Sequence, residues 1–219
     1  MKNDFSYMLV ALLVFLIGIP VAIDLHLLPI AIIRLLGFSS LLMIGLWSLR
    51  KSGYVFKAAV ALVVIGMGLN FLSAYDHQIA YFFGSTLAML IFLATAMAVA
   101  MKQIALDSKV STNRIIGAIC VYLMLGVIWA LMYSLLDAAV PGSFSGIVEH
   151  SMTGAWDPDW VYFSFVTLTT LGYGDILPLT FSARSLAYFE AIVGQFYLAI
   201  LVAGLVSAYL SETQGGASK

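Results

Sequence analysis

Long uncharged runs dominate this sequence and restrict its fold more than any motif. Phe5–Ile23 is 19 residues without a charge, Ala58–Tyr75 is 18, Ile79–Met101 is 23 and Ile115–Leu136 is 22. Ile30–Leu49 is interrupted only by Arg34, and Phe181–Leu210 only by Arg184 and Glu190. About 20 apolar residues are needed to cross a hydrocarbon core of about 30 Å. Backbone facing lipid must satisfy its own hydrogen bonds, which leaves helices as the option for runs like these. The sequence therefore predicts an all-α integral membrane protein with six transmembrane helices. Lys2 precedes the first run, as in a signal peptide, but Ile23-Asp24-Leu25-His26 is no small-residue cleavage site. The first run is read as a retained helix.

Composition closes the other classes. Charged residues make up 10% of the chain, against about a quarter in soluble domains. Disorder needs low hydrophobicity and high charge, and here 63% of residues are apolar. A net charge of −1 offers no basic excess for phosphates, so no nucleic-acid partner is expected. Cys120 is the single cysteine, which excludes an intrachain disulfide.

The few charges are sorted by side. Arg50, Lys51 and Lys57 fall between the second and third runs, and Lys102, Lys109 and Arg114 between the fourth and fifth. The alternate linkers, around Asp24–His26 and Asp76–His77, carry acids and histidines but no bases. The positive-inside rule then predicts a multi-pass protein of the cell's plasma (inner) membrane with both termini cytoplasmic. Seven of the eleven acids (Asp24, Asp76, Asp137, Glu149, Asp157, Asp159, Asp175) fall outside. The fourth run has no Lys or Arg before its end, so it lacks the regularly spaced charges of a voltage sensor. His26, His77 and His150 are all expected outside, where exposed histidines without a role are the plainer expectation than pH sensing.

About 44 residues, Asp137–Thr180, separate the fifth and sixth runs. That is too long for a plain turn and should carry structure. Asp157 suits an N-cap, Pro158 the first helical position and Asp159 the first turn, so a half-helix is expected over Pro158–Thr169. Its negative C-terminal end favours a cation beyond it. There lies Thr170-Leu171-Gly172-Tyr173-Gly174-Asp175. Gly172 and Gly174 are spaced to supply positive φ at every second residue. The carbonyls of Thr170, Leu171, Gly172 and Tyr173 can then face one axis and replace the water of an ion. Gly142-Ser143-Phe144-Ser145-Gly146 superficially suggests a nucleophile motif, but its serine spacing is wrong and it sits in a predicted exterior loop.

This hexapeptide, set between two membrane runs, resembles the pore signature of potassium channels, T-V-G-Y-G-D, with Leu171 in place of Val. The resemblance covers roughly residues 115–210 and implies a re-entrant pore helix and selectivity filter between helices five and six. It implies a potassium-selective channel whose filter is built by Thr170, Leu171, Gly172, Tyr173 and Gly174, with Asp175 at the outer mouth. Potassium is the permeant ion, and no organic cofactor is expected. One filter per chain cannot enclose an ion, so three identical subunits are the implied partners, in a homotetramer within the bilayer.

The same resemblance places Val166 where some channels carry a Glu behind the filter, so support must come from elsewhere. Glu190 is the one acid inside a spanning run, and an intramembrane acid needs a partner. It either braces the pore helix or is a protonated, satisfied interhelical residue. Gly194, 20 residues after Gly174, matches the inner-helix hinge, although a small residue for close packing is an equal reading. Gln195, Leu198 and Val202 share a helical face and are expected to line the cavity. Arg184 is expected to snorkel to the interface. The division implied is a four-helix block over 1–110, a pore domain over 111–212 and a tail over 213–219. No regulatory domain is expected in a tail of this length. A weakly selective cation channel is the alternative, although such channels often lose the Tyr or second Gly that are present here. An intramembrane enzyme would need Ser–His or paired-Asp constellations, and the sequence has neither.

Overall fold

The computed structural model describes residues 5–26, 53–76, 78–106, 111–147 and 157–216. Helix α1 (Phe5–Leu13) continues through a π-helical turn, Val14–Gly18, into α2 (Ile19–Asp24). Pro20 explains the wide turn, because it has no N–H to donate and its ring crowds the carbonyl four residues back. Helices α3 (Gly53–Asp76) and α4 (Ile79–Leu106) pack together. Helix α5 (Thr112–Ala139) follows, its N-cap Ser111 accepting from the Arg114 N–H at 3.2 Å. Then come a short strand β1 (Phe144–Ser145), helix α6 (Pro158–Leu168), strand β2 (Leu177–Pro178) and the long helix α7 (Phe181–Gly216).

Five helical stretches among the described residues are long and apolar enough to cross a membrane: Phe5–Asp24, Phe56–Ser73, Ile79–Ala105, Thr112–Ala139 and Phe181–Gly204. They coincide with five of the six runs expected from the sequence. The sixth, Ile30–Leu49 with Arg34, lies outside the described residues, as do His77, Glu149 and His150.

Helix α5 is the hub. It packs against α1, α4, α6 and α7, and 61% of its spanning window is buried, against 17% for Phe5–Asp24. Phe5, Met8, Leu12 and Phe15 bury one face of the first span by helical spacing. The Phe5 N–H donates to Asn113 Oδ1 at 2.9 Å, and the Phe5 ring lies where a side chain on Gly117 would stand. The C-terminal half of α5 closes on an aromatic cluster. Tyr133 meets Phe163 edge-on at 4.8 Å, and Phe144 meets Trp160 at 4.9 Å. Edge-to-face rings at such separations add to simple burial. The cluster fixes α6 against α5, and α6 carries the hexapeptide at its end.

Candidate functional site

Helix α6 starts as the sequence predicts. Asp157 accepts from the Asp159 N–H at 3.0 Å, and Pro158 occupies the first turn. It ends at Leu168, one residue short of the expected boundary, with Thr169 as C-cap. Beyond it the chain turns back on the helix end. The Leu171 N–H donates to the Val166 carbonyl at 2.9 Å, and the Gly172 N–H to the same oxygen at 3.3 Å. In a trans peptide the carbonyl of one residue points opposite to the N–H of the next. The carbonyls of Thr170 and Leu171 therefore point away from α6.

Gly172 and Gly174 have φ of +61° and +80°, and Thr170 shares the left-handed region at +59°. Left-handed residues thus recur at every second position, a pattern that allows successive carbonyls to share one side. The glycines were expected there. Thr170 was not, because a β-branched residue resists this conformation. Thr170–Asp175 is exposed in the single chain, with Leu171 at 56% and Tyr173 at 68%. Among the described residues no cluster of His, Cys, Asp and Glu could hold a metal ion. The oxygen donors on offer here are backbone carbonyls.

The Asp175 carboxylate accepts from the Tyr162 hydroxyl at 2.5 Å. This bond holds the Asp175 carboxyl below its usual range and pushes the Tyr162 phenol up to about 12. A depressed carboxylate contributes stability above its unfolded value, about 3.9, and loses it as pH falls through the folded value. A raised phenol contributes below its unfolded value, about 10, and loses it as pH rises through the folded one. The contact is thus expected to hold undiminished from about pH 4 to about pH 10. In Tyr162→Phe the Asp175 midpoint, followed by carboxyl NMR, should rise toward the ordinary value. An unchanged midpoint would remove Tyr162 as the cause.

Behind the hexapeptide, Glu190 of α7 is wholly buried. Its Oε2 accepts from the Tyr133 hydroxyl of α5 at 2.5 Å, and its Oε1 lies 2.5 Å from Ser164 Oγ of α6. Ser164 Oγ is also 2.7 Å from the Gly126 carbonyl. Three helices meet at one carboxyl, and the Ser164 contact joins Glu190 to the half-helix. Val166 contributes through its carbonyl rather than its side chain.

Gly194 is buried against the end of α6. A Cβ there would stand 2.6 Å from the Leu168 carbonyl oxygen, so the position has no room for a side chain. Gln195, Leu198 and Val202 are exposed on α7, whereas Ala183, Glu190 and Gly194 are buried. Arg184 donates from Nε to the Pro178 carbonyl at 3.2 Å, at the exposed surface.

Several contributors were not singled out from the sequence as partners of the site. Tyr133 and Ser164 hold Glu190, and Tyr162 holds Asp175. Gly126 admits the Phe165 ring, which lies 2.7 Å from where a Cβ would be. A lone Gly inside a helical run is the one sequence signal for such a packing site, and Gly126 was not singled out by it. The Gly142–Gly146 segment also has a structural task. Phe144 pairs with Pro178 and Ser145 with Leu177, and Gly146, at φ +86°, passes so close to Asp175 that a Cβ would lie 1.9 Å from its carbonyl oxygen. The loop before α6 is thereby clamped to the chain that leaves the hexapeptide.

Comparison with known proteins singles out the same region. Residues 117–211 match the model of a family described as Ion channel. "Two pore potassium channel c" of Oryza sativa subsp. japonica is 40% identical over 75 residues, covering 33% of this chain and 15% of the relative. "Two-pore potassium channel 2" of Arabidopsis thaliana is 34% identical over 104 residues, 48% of this chain and 21% of the relative. "Two-pore potassium channel 5" of Arabidopsis thaliana is 36% identical over 103 residues, 47% of this chain and 22% of the relative. The matched part spans about a fifth or less of the length of these relatives. No solved structure matches the chain.

Proposed function

We propose that this chain, whose residues 117–211 match the model of a family described as Ion channel, belongs to the potassium channel superfamily and forms a potassium-selective pore from four copies of itself. The family is one of channels and not of enzymes. Alternation of left-handed backbone at Thr170, Gly172 and Gly174 is the observation that carries this reading. It supports a column of carbonyls from Thr170, Leu171, Gly172 and Tyr173 on one side of the chain. Four such columns around one axis would replace the hydration shell of a potassium ion. The Thr170 hydroxyl would add a ring of oxygens at the inner end, and Asp175 would sit at the outer mouth.

Irregular backbone at membrane depth is tolerated only where protein surrounds it or it lines a cavity. The exposure of Leu171 and Tyr173 in one chain supports burial by neighbouring copies. In this arrangement α6 is a re-entrant pore helix within a six-helix chain, with residues 1–110 around the pore domain 111–212. Glu190, Tyr133 and Ser164 brace the pore helix. Gln195, Leu198 and Val202 line the inner cavity, and Gly194 lets the inner helix pivot against Leu168. The membrane is the cell's own, with both termini cytoplasmic.

Flux from proteoliposomes tests this. Purified protein should carry potassium, exclude sodium and be blocked by barium, and its cross-linked mass should be that of four chains. Equal sodium and potassium flux would favour the weakly selective channel instead.

A further inference from the structure

Away from the filter, a cavity of about 220 Å³ opens where α3, α4 and α5 come together. Ser73 lies at the end of α3, Gln78 in the turn, Ile79 and Phe82 at the start of α4, and Asp137 in the last turn of α5; Pro141 closes the wall. The acceptors outnumber the donors. Among the described residues Asp137 brings the one formal charge to the lining, and none of the lining residues described is a Lys or Arg. The Gln78 amide nitrogen gives one of its two N–H donors to Asp76 Oδ2 at 2.7 Å, and its oxygen is an acceptor. Ser73, 2% exposed, adds a hydroxyl.

This chemistry excludes an anion. A bare divalent ion is also a poor match, because calcium takes about six to eight oxygens and most of this wall is hydrocarbon. The Phe82 ring, the Ile79 side chain and Pro141 instead suit a cation that carries its own apolar surface. An aromatic face within about 6 Å attracts such a cation. The volume lies below the range of about 300–1,000 Å³ usual for drug-sized ligands, so the guest is small. We propose that this cavity binds an alkylammonium group, presented by a dissolved amine or by a lipid headgroup.

Binding there reaches the chain beyond the filter. Asp137 stands in the last turn of α5, three residues before Val140, whose carbonyl accepts from the Ser143 N–H at 3.2 Å and from Ser143 Oγ at 2.6 Å. The Ser143 carbonyl accepts from the Leu179 N–H at 2.8 Å, and Ser143 Oγ lies 3.3 Å from Thr180 Oγ1. A cation that draws on Asp137 thus acts on the strand that leaves the outer mouth. This second step rests on the pore reading, whereas the binding step does not.

The test reads binding without conduction. Full-length protein in detergent, free of amine lipids, is titrated with tetramethylammonium chloride against sodium chloride at equal ionic strength, and thermal unfolding is followed. A saturable stabilisation is expected, about a hundredfold in the folded-to-unfolded ratio at a hundred times the half-saturating concentration. Asp137→Asn should abolish it. Ile79→Trp, at an exposed rim position, should abolish it by filling the mouth without disturbing the core. In phosphatidylcholine bilayers the shift disappears if the headgroup already occupies the cavity, and persists against phosphatidylglycerol. A shift that survives in phosphatidylcholine identifies the dissolved amine as the guest. An equal response of wild type and both variants overturns the proposal. That outcome leaves the pore untouched, and a protein that bound the amine but failed to conduct would leave the cavity site standing.

Discussion

Gly172→Asp is expected to abolish potassium flux while the protein still inserts and assembles. Two effects add at this position. Gly172 sits at φ +61°, where a side chain costs about 1–2 kcal/mol through contact between Cβ and the carbonyl. In a tetramer that strain recurs four times around one axis. The variant also sets a carboxylate beside each carbonyl ring. Space is not the obstacle, since a Cβ at Gly172 meets nothing within 4 Å in the single chain. Gly172→Ala therefore separates the two effects, because it carries the strain without the charge. It should reduce flux and weaken discrimination between potassium and sodium, and Gly172→Asp should remove flux altogether. Undiminished barium-sensitive flux in Gly172→Asp would sink the pore reading.

The parts of this site that follow local rules were legible in the sequence. An N-cap, a first-turn proline and glycines at alternate positions each act within a few residues, so Asp157, Pro158, Gly172 and Gly174 stand where they were expected. Thr170 escaped because its left-handed φ is imposed by the turn back onto Val166, against the preference of its own side chain. The faces by which the helices pack were hidden for a different reason. A run such as Ile115–Leu136 is apolar all round, so periodicity cannot tell the side that meets α6 from the side that meets lipid. Partners far apart in sequence were hidden as well. Tyr133 and Ser164 lie 57 and 26 residues from Glu190, and Gly146 is needed only because Asp175 is folded against it. The sequence marked Glu190 as an acid in need of a partner, but only the packing of three helices names the partner.

That partnership yields a graded prediction. Ser164 has one hydroxyl proton, yet its Oγ lies within hydrogen-bond distance of both the Gly126 carbonyl and Glu190 Oε1. Both contacts are satisfied together when Glu190 carries a proton, donates it to Ser164 Oγ, and leaves Ser164 to donate to Gly126. The Tyr133 hydroxyl then completes the set at Oε2. A glutamine reproduces this pattern, with its amide nitrogen toward Ser164 and its oxygen toward Tyr133. Glu190→Gln should therefore keep stability and flux near those of the wild type. Glu190→Ala leaves the Tyr133 hydroxyl without its acceptor and opens a cavity behind the pore helix. An unsatisfied buried polar group costs about 1–3 kcal/mol, and the unfilled volume adds about 24 cal/mol for each Å³ that does not collapse. Glu190→Ala should thus unfold at a clearly lower temperature and lose potassium selectivity as α6 loosens. Tyr133→Phe, which removes one donor and keeps the ring cluster, should fall between the two. If Glu190→Gln proves as damaging as Glu190→Ala, the carboxyl is charged at this site and the proton count fails. If all three variants conduct and unfold as the wild type does, Glu190 does not brace the pore helix.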